Sequence, residues 1–256
     1  MDTATRIILI AILALATSLA APTVTAAQAS DAKSDGFAAL QKEFSKEWNP
    51  FIKKVREAKD DSERSALIKN EDPRTRYAEK FLLYAQENQT APEALEALTT
   101  VMELTDSSHT ALRADALEIL QNRFAHDQKL APAVLLLRRS KDGEKAESFL
   151  SAVIKENPDK KIRGLASLTL AEYYSNNDQP SKAIDQFKSA IAEYSDIAIT
   201  PKATVGEAAK TQLFELEHLA IGMEAPDIEG KDVDGKTFKL SDYKGRAVLV
   251  SFFGDW

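Results

Sequence analysis

Between residues 35 and 218 apolar side chains recur at three- and four-residue steps, the spacing that lines one face of an α-helix. Phe37, Leu40, Phe44 and Trp48 form one such stripe, and Leu112, Ala116, Ile119 and Leu120 another. Pro92, Pro132, Pro180 and Pro201 each stand just ahead of a periodic stretch. A helix accepts proline there, in its first turn, without losing a hydrogen bond. The polar links between stretches are short, as at 157–160 and 176–179, and predict antiparallel helical hairpins.

From Ile221 the pattern changes. Asp234-Gly235, set between Val233 and Phe238, predicts a two-residue β-hairpin turn. A polar turn follows at 241–245. The run 247–253, interrupted only by Ser251, predicts a strand covered on both faces. Glycine usage divides the chain at the same place: Gly36, Gly143, Gly164 and Gly206 are widely scattered, whereas Gly222, Gly230, Gly235, Gly245 and Gly254 crowd the tail. The expected domain boundary is therefore near Ala220.

The first 29 residues have the layout of a secretory signal peptide. Arg6 and the amino terminus supply positive charge, weakened by Asp2, and residues 7–19 are apolar except for Thr17 and Ser18. That run is too short to span a membrane as a helix and suits a signal core. Ala27-Gln28-Ala29 fits cleavage after Ala29, with an earlier cut after Ala20 as the alternative. The expected layout is a signal peptide over 1–29, a helical domain over 30–220 and a separate tail over 221–256. The mature protein is then periplasmic or otherwise extracytoplasmic. An uncleaved signal segment is the one membrane anchor expected, because lipid attachment at this position requires a cysteine.

Composition narrows the chemistry. With 256 residues, 44% hydrophobic and 29% charged, the chain reads as globular. A net charge of −7 gives no footprint for nucleic acid. The absence of cysteine excludes internal disulfides, thiolate metal sites and a thiol nucleophile in this sequence. His109, His126 and His218 are far apart and show no metal-ligand spacing. No phosphate-cradling glycine motif occurs. The carboxylate pairs Asp60-Asp61 and Glu71-Asp72 read as solvated loops or helix ends. Neither a metal nor a cofactor is expected.

Two family resemblances add to this reading. Ala171, Tyr174, Ala183, Phe187 and Ala190 resemble the small and aromatic positions of a tetratricopeptide repeat, where alanines let helices approach and aromatics fill the gaps. A fainter echo runs through Ala146, Leu150, Val153 and Pro158, spaced further from the first copy than the family's repeat. Such a region implies a module that binds protein, self-associates or acts as a spacer.

In the tail, Gly222-x-x-Ala225-Pro226, the Asp234-Gly235-Lys236 hairpin, Leu240-Ser241-Asp242-Tyr243-Lys244-Gly245 and the stretch Val248-Leu249-Val250-Ser251-Phe252-Phe253-Gly254-Asp255-Trp256 look like the opening of a redoxin or TlpA-type thioredoxin-like domain. The fold implied is mainly α, in repeat-like antiparallel hairpins, followed by an incomplete α/β thioredoxin-like domain. In that family the strand runs through a tryptophan into Cys-x-x-Cys at a helix start. The resemblance makes Phe253, Gly254, Asp255 and Trp256 motif-flanking residues and puts the nucleophile immediately after Trp256. Phe252 and Phe253 themselves read as strand core.

The implied activity is thiol-disulfide exchange with protein substrates or a redox partner, with no catalytic residue inside the 256 residues and so no expected activity from them alone. The expectation for the missing position is an in-frame stop, by nonsense change, sequencing error or a codon read as selenocysteine, with a real short product as the competing account. In a real short product, residues 222–256 are expected to be poorly ordered or aggregation-prone. A TlpA-like reductase is favoured over a peroxiredoxin-type antioxidant enzyme because no Pro-x-x-x-Thr run precedes the site. The alternative from another class is a non-enzymatic helical-repeat interaction protein with a vestigial redoxin tail.

Overall fold

The computed structural model describes the backbone of residues 26–251 and the side chains of residues 36–251. The predicted signal segment, apart from its last residues, and the flanking residues Phe253, Gly254, Asp255 and Trp256 lie outside this range. Ten α-helices are found among the described residues. They are α1 (Ala26–Glu57), α2 (Asp61–Glu71), α3 (Arg74–Glu87), α4 (Glu93–Leu104), α5 (Thr110–Ile119), α6 (Ala131–Leu135), α7 (Glu144–Glu156), α8 (Lys160–Asn176), α9 (Pro180–Tyr194) and α10 (Val205–His218). A π-helical turn, Leu120–Phe124, continues α5. None of the described helices is long and apolar enough to cross a membrane.

The helix starts follow from local chemistry. Asp60 caps α2 by accepting from the Glu63 amide, and Asp159 caps α8 by accepting from Lys161. Thr204 and Glu207 form a reciprocal capping box on α10. Pro132 and Pro180 sit in the first turns of α6 and α9, and Pro92 immediately precedes α4. Pro201 departs from expectation. It lies in the turn of a small hairpin, β1 (Ala198–Thr200) with β2 (Ala203–Thr204), that interrupts the helical region. Fixed φ suits proline equally to a tight turn, so position before an apolar stretch did not discriminate. Gly206, at the start of α10, donates to Ser195 O at 3.2 Å, and a Cβ placed there would fall 2.0 Å from Ser195 Oγ.

Both predicted apolar stripes are used. Phe37 meets Phe81 at 5.9 Å and Phe44 meets Tyr77 at 5.2 Å between ring centroids, which seats α1 on α3. Ala116 and Leu120 are buried, with Leu112 and Ile119 packed against the same core. The centre of the fold is α8, which contacts α6, α7, α9 and α10 and buries nearly its whole circumference from Ala166 to Tyr174. Ala171, Tyr174, Ala183, Phe187 and Ala190 are buried where α8 and α9 meet, and Ala146, Leu150 and Val153 are buried on α7.

Polar bonds fix what apolar packing leaves free. Arg113 on α5 grips Asp142 through two bonds of 2.6 and 2.7 Å, and both side chains are only 5% exposed. Its third nitrogen donates to Met102 O and Thr105 O at 2.9 and 2.8 Å, satisfying the open carbonyl end of α4. The loop carrying Asp142 is also tied to α8, because Tyr173 donates to Gly143 O, Asn176 to Arg138 O and Asn177 to Ser140 O. Removing one partner of a buried, hydrogen-bonded ion pair strands the other charge. Arg113→Ala is therefore expected to lower the unfolding free energy in urea by about 3–5 kcal/mol. Arg113→Lys, lacking the planar fork, is expected to recover only part of that loss.

Candidate functional site

The family resemblance falls on the segment after α10. Beyond His218 the chain turns, with Met223 donating to Ala220 O, and enters a hairpin of β3 (Glu229–Lys231) and β4 (Thr237–Lys239). The pairing is antiparallel: Glu229 faces Lys239, Gly230 faces Phe238 and Lys231 faces Thr237.

The predicted two-residue turn is corrected to a three-residue loop, 233–235. The Asp232 amide donates to Lys236 O and the Gly235 amide to Asp232 O, each at 2.9 Å. Gly235 closes the loop at φ 80°, the left-handed conformation such a loop needs in its last position. The Asp232 carboxylate accepts from the amides of Asp234 and Lys236 at 3.0 and 2.9 Å, which holds the wider loop together. The Asp-Gly signal located the hairpin; Asp232 set its loop length.

A second tie joins two pieces of the family signature that are distant in sequence. Asp227, following Ala225-Pro226, accepts from the Ser241 amide and from the Ser241 hydroxyl, both at 2.8 Å. Leu240 donates to Ile228 O at 2.9 Å and so extends the hairpin into a 3-10 turn, Leu240–Tyr243. The bonds from the Ser241 amide and hydroxyl hold the Asp227 carboxyl below the usual carboxylate range. Lys244 reaches back to Glu224 at 2.8 Å.

Residues 247–251 are not in a strand, contrary to expectation. They run as extended coil beside a cavity of about 740 Å³ whose walls include Ala225, Leu240, Tyr243, Val248 and Val250. Val248, Leu249 and Val250 are 47%, 95% and 43% exposed. The reason is physical: no strand among the described residues runs alongside, so the segment has neither a ladder partner nor cover for its second face.

The remaining candidates are dispersed. His126 lies 4.0 Å from Glu156, and the His218 ring meets that of Phe214 at 4.7 Å, tilted by 46°. His109 instead bridges Thr75 and Asp106, a contact between three helix ends that no motif in the sequence announces. Asp61 pairs with Arg64, Glu71 with Lys54, and Asp72 with Arg74. No group of three metal-ligating side chains occurs among the described residues.

Comparison with known proteins adds a specific finding. No family model matches the chain, and no solved structure matches it. Curated relatives do. The thiol-disulfide oxidoreductase ResA of Bacillus thuringiensis subsp. konkukian is 42% identical over 40 residues, 16% of this chain and 23% of that protein. ResA of Geobacillus kaustophilus is 38% identical over 55 residues, 21% of this chain and 32% of that protein. ResA of Geobacillus thermodenitrificans is 40% identical over 38 residues, covering 15% and 22% respectively. The chain thus spans roughly a quarter to a third of the length of these relatives. The similarity supports a thioredoxin-like, redox-related reading and reaches no further.

The Asp227–Ser241 tie has a pH consequence. A carboxyl whose folded pKa is depressed contributes stability above its ordinary range and loses it as pH falls through the lowered value. Carboxyl ¹³C titration is expected to find Asp227 below the ordinary aspartate range, and Ser241→Ala is expected to move it upward. An Asp227 titration unchanged by Ser241→Ala would show that the hydroxyl half of the tie does not form in solution.

Proposed function

We propose that residues 221–256 are the amino-terminal part of a thioredoxin-like domain, and that the protein is an extracytoplasmic thiol-disulfide oxidoreductase of the ResA or TlpA type. The observation behind this reading is the local similarity to ResA proteins, which agrees with a tail where Asp227 and Ser241 tie the Ala-Pro-Asp and Leu-Ser-Asp signatures together. In this reading the run 247–253 becomes a strand only when the rest of the domain pairs with it and covers it, and Phe253, Gly254, Asp255 and Trp256 lead into a Cys-x-x-Cys, or a selenocysteine variant, directly after Trp256.

The chemistry follows from that placement. A helix amino terminus stabilises the first cysteine as a thiolate, lowering its pKa from about 8.5 to near 7 or below. The thiolate attacks a substrate disulfide and expels one substrate sulfur as a thiolate. The second cysteine then attacks the mixed disulfide and releases the other. Two electrons pass from the dithiol to the substrate, and the enzyme is left oxidised. The 256 residues contain no cysteine and so perform none of these steps themselves. The signal-like segment at 7–19 supports a location outside the cytoplasm, and this reading gives the helical domain a role in protein docking or self-association.

The test is disulfide reduction by the complete coding sequence, read through any codon following Trp256. Insulin reduction that is lost when the first residue of the dithiol is changed to serine is the expected result, with residues 1–256 alone inactive. Activity indifferent to that residue, or none at all, would favour a helical interaction protein with a vestigial tail.

A further inference from the structure

Far from the tail, three side chains from separate helix ends meet. Thr75 lies in the first turn of α3, His109 precedes α5, and Asp106 belongs to the link between α4 and α5. His109 Nε2 is 2.8 Å from Thr75 Oγ1, and His109 Nδ1 is 3.1 Å from Asp106 Oδ1. The carboxylate cannot donate while ionised, so its 3.1 Å contact outweighs the longer 3.5 Å one from the Asp106 amide and favours a proton on Nδ1, which leaves Nε2 to accept from the threonine hydroxyl. We propose that Thr75 is a histidine-activated nucleophilic hydroxyl, with His109 as general base and Asp106 as the residue that orients it, acting on small carboxylic esters.

Four features support the assignment. The order nucleophile, base and orienting carboxylate is the arrangement that makes a hydroxyl reactive at neutral pH. Asp106 is itself held, accepting from the Ser108 amide at 2.9 Å and the Ser108 hydroxyl at 2.6 Å. These bonds, with that from His109, lower its pKa to about 2, so it stays ionised. Ser108 Oγ also lies 3.2 Å from His109 Nδ1 and completes the cluster. Thr75 and Arg76 stand in the first turn of a helix, where amides have no intrahelical acceptor and are available to a developing oxyanion.

The cluster also opens onto space. A groove of about 440 Å³ is bounded by Thr75, Asp106 and His109; its lining is mostly polar, including Lys69 and Glu103, with Ile68 and Leu104 as the apolar part, which suits short acyl groups. Asp72 engages Arg74 with bonds of 2.9 and 2.6 Å, while Arg74 still interacts electrostatically with Asp106.

The reaction balances with water as the one co-reactant. Thr75 Oγ adds to the ester carbonyl carbon while its proton passes to His109 Nε2. The tetrahedral centre collapses, the carbon–alkoxy bond breaks, and the departing alkoxide takes that proton and leaves as an alcohol. Water, deprotonated by His109, then cleaves the acyl-threonine, releasing a carboxylic acid and restoring the hydroxyl.

The experiment treats the full chain with a fluorophosphonate, which forms an Oγ–phosphorus bond and releases fluoride, and locates the adduct by peptide mass spectrometry. An adduct on Thr75 is expected, absent in Thr75→Val and retained in Thr75→Ser. His109→Gln is expected to slow labelling by about 10²–10⁴-fold. Asp106→Asn is expected to slow it too, while the ¹⁵N ring signals of His109 change to the Nε2–H tautomer. Circular dichroism melts of each variant separate these outcomes from unfolding. A folded protein that carries no adduct on Thr75, or one labelled equally fast in His109→Gln, would overturn the proposal.

Discussion

An apolar strand cannot stand alone in water, and that constraint governs the tail of this protein. Val248, Leu249 and Val250 keep between 43% and 95% of their surface exposed. Burying a side chain of this size is worth about 1.5–3 kcal/mol, so three left open forgo a sizeable share of a small domain's stability. Their backbone likewise has no ladder neighbour among the described residues. Exposed large apolar side chains gather in the same region, from Phe214 through Ile221 and Met223 to Val250.

The helical body obeys the opposite logic. Its core is closed around α8, which is apolar on most sides and surrounded accordingly. Leu136 and Leu137 anchor the start of the loop between α6 and α7 in the core, and Arg113 with Asp142 then fixes its far end. Such a pair adds less to stability than it removes when broken, and its role here is to fix one arrangement of α4, α5 and the loop. Nearly all of the body's core residues come from the helices, with Ala125, Leu130 and Leu137 added from the turns, and the paired elements of the tail are held to one another by the Asp232 loop and the Asp227–Ser241 tie.

What the sequence made legible was short-range. The stripes of Phe37, Phe44, Ala116 and Leu120 identified helices because helical period is written in neighbouring residues. The same holds for Pro132, Pro180 and the Asp234-Gly235 turn. Long-range outcomes were hidden. Pro201 introduces a β-turn instead of a helix because its fate depends on β1 pairing with β2. The extra residue in the tail loop follows from Asp232, outside the dipeptide that signalled the turn. The run 247–253 was read as a covered strand from its own composition, whereas coverage is a property of neighbours. Neither Arg113–Asp142 nor Thr75–His109–Asp106 has any local signature: each joins residues about thirty positions apart. The flanking residues Phe253, Gly254, Asp255 and Trp256 remain assigned by resemblance.

Reading the coding DNA that follows the Trp256 codon tests the redox assignment most directly. The account predicts in-frame codons for Cys-x-x-Cys, or for selenocysteine in its first position, continuing into the remaining strands and helices of a thioredoxin-like domain. Unrelated sequence there, with no dithiol motif in frame, would contradict it.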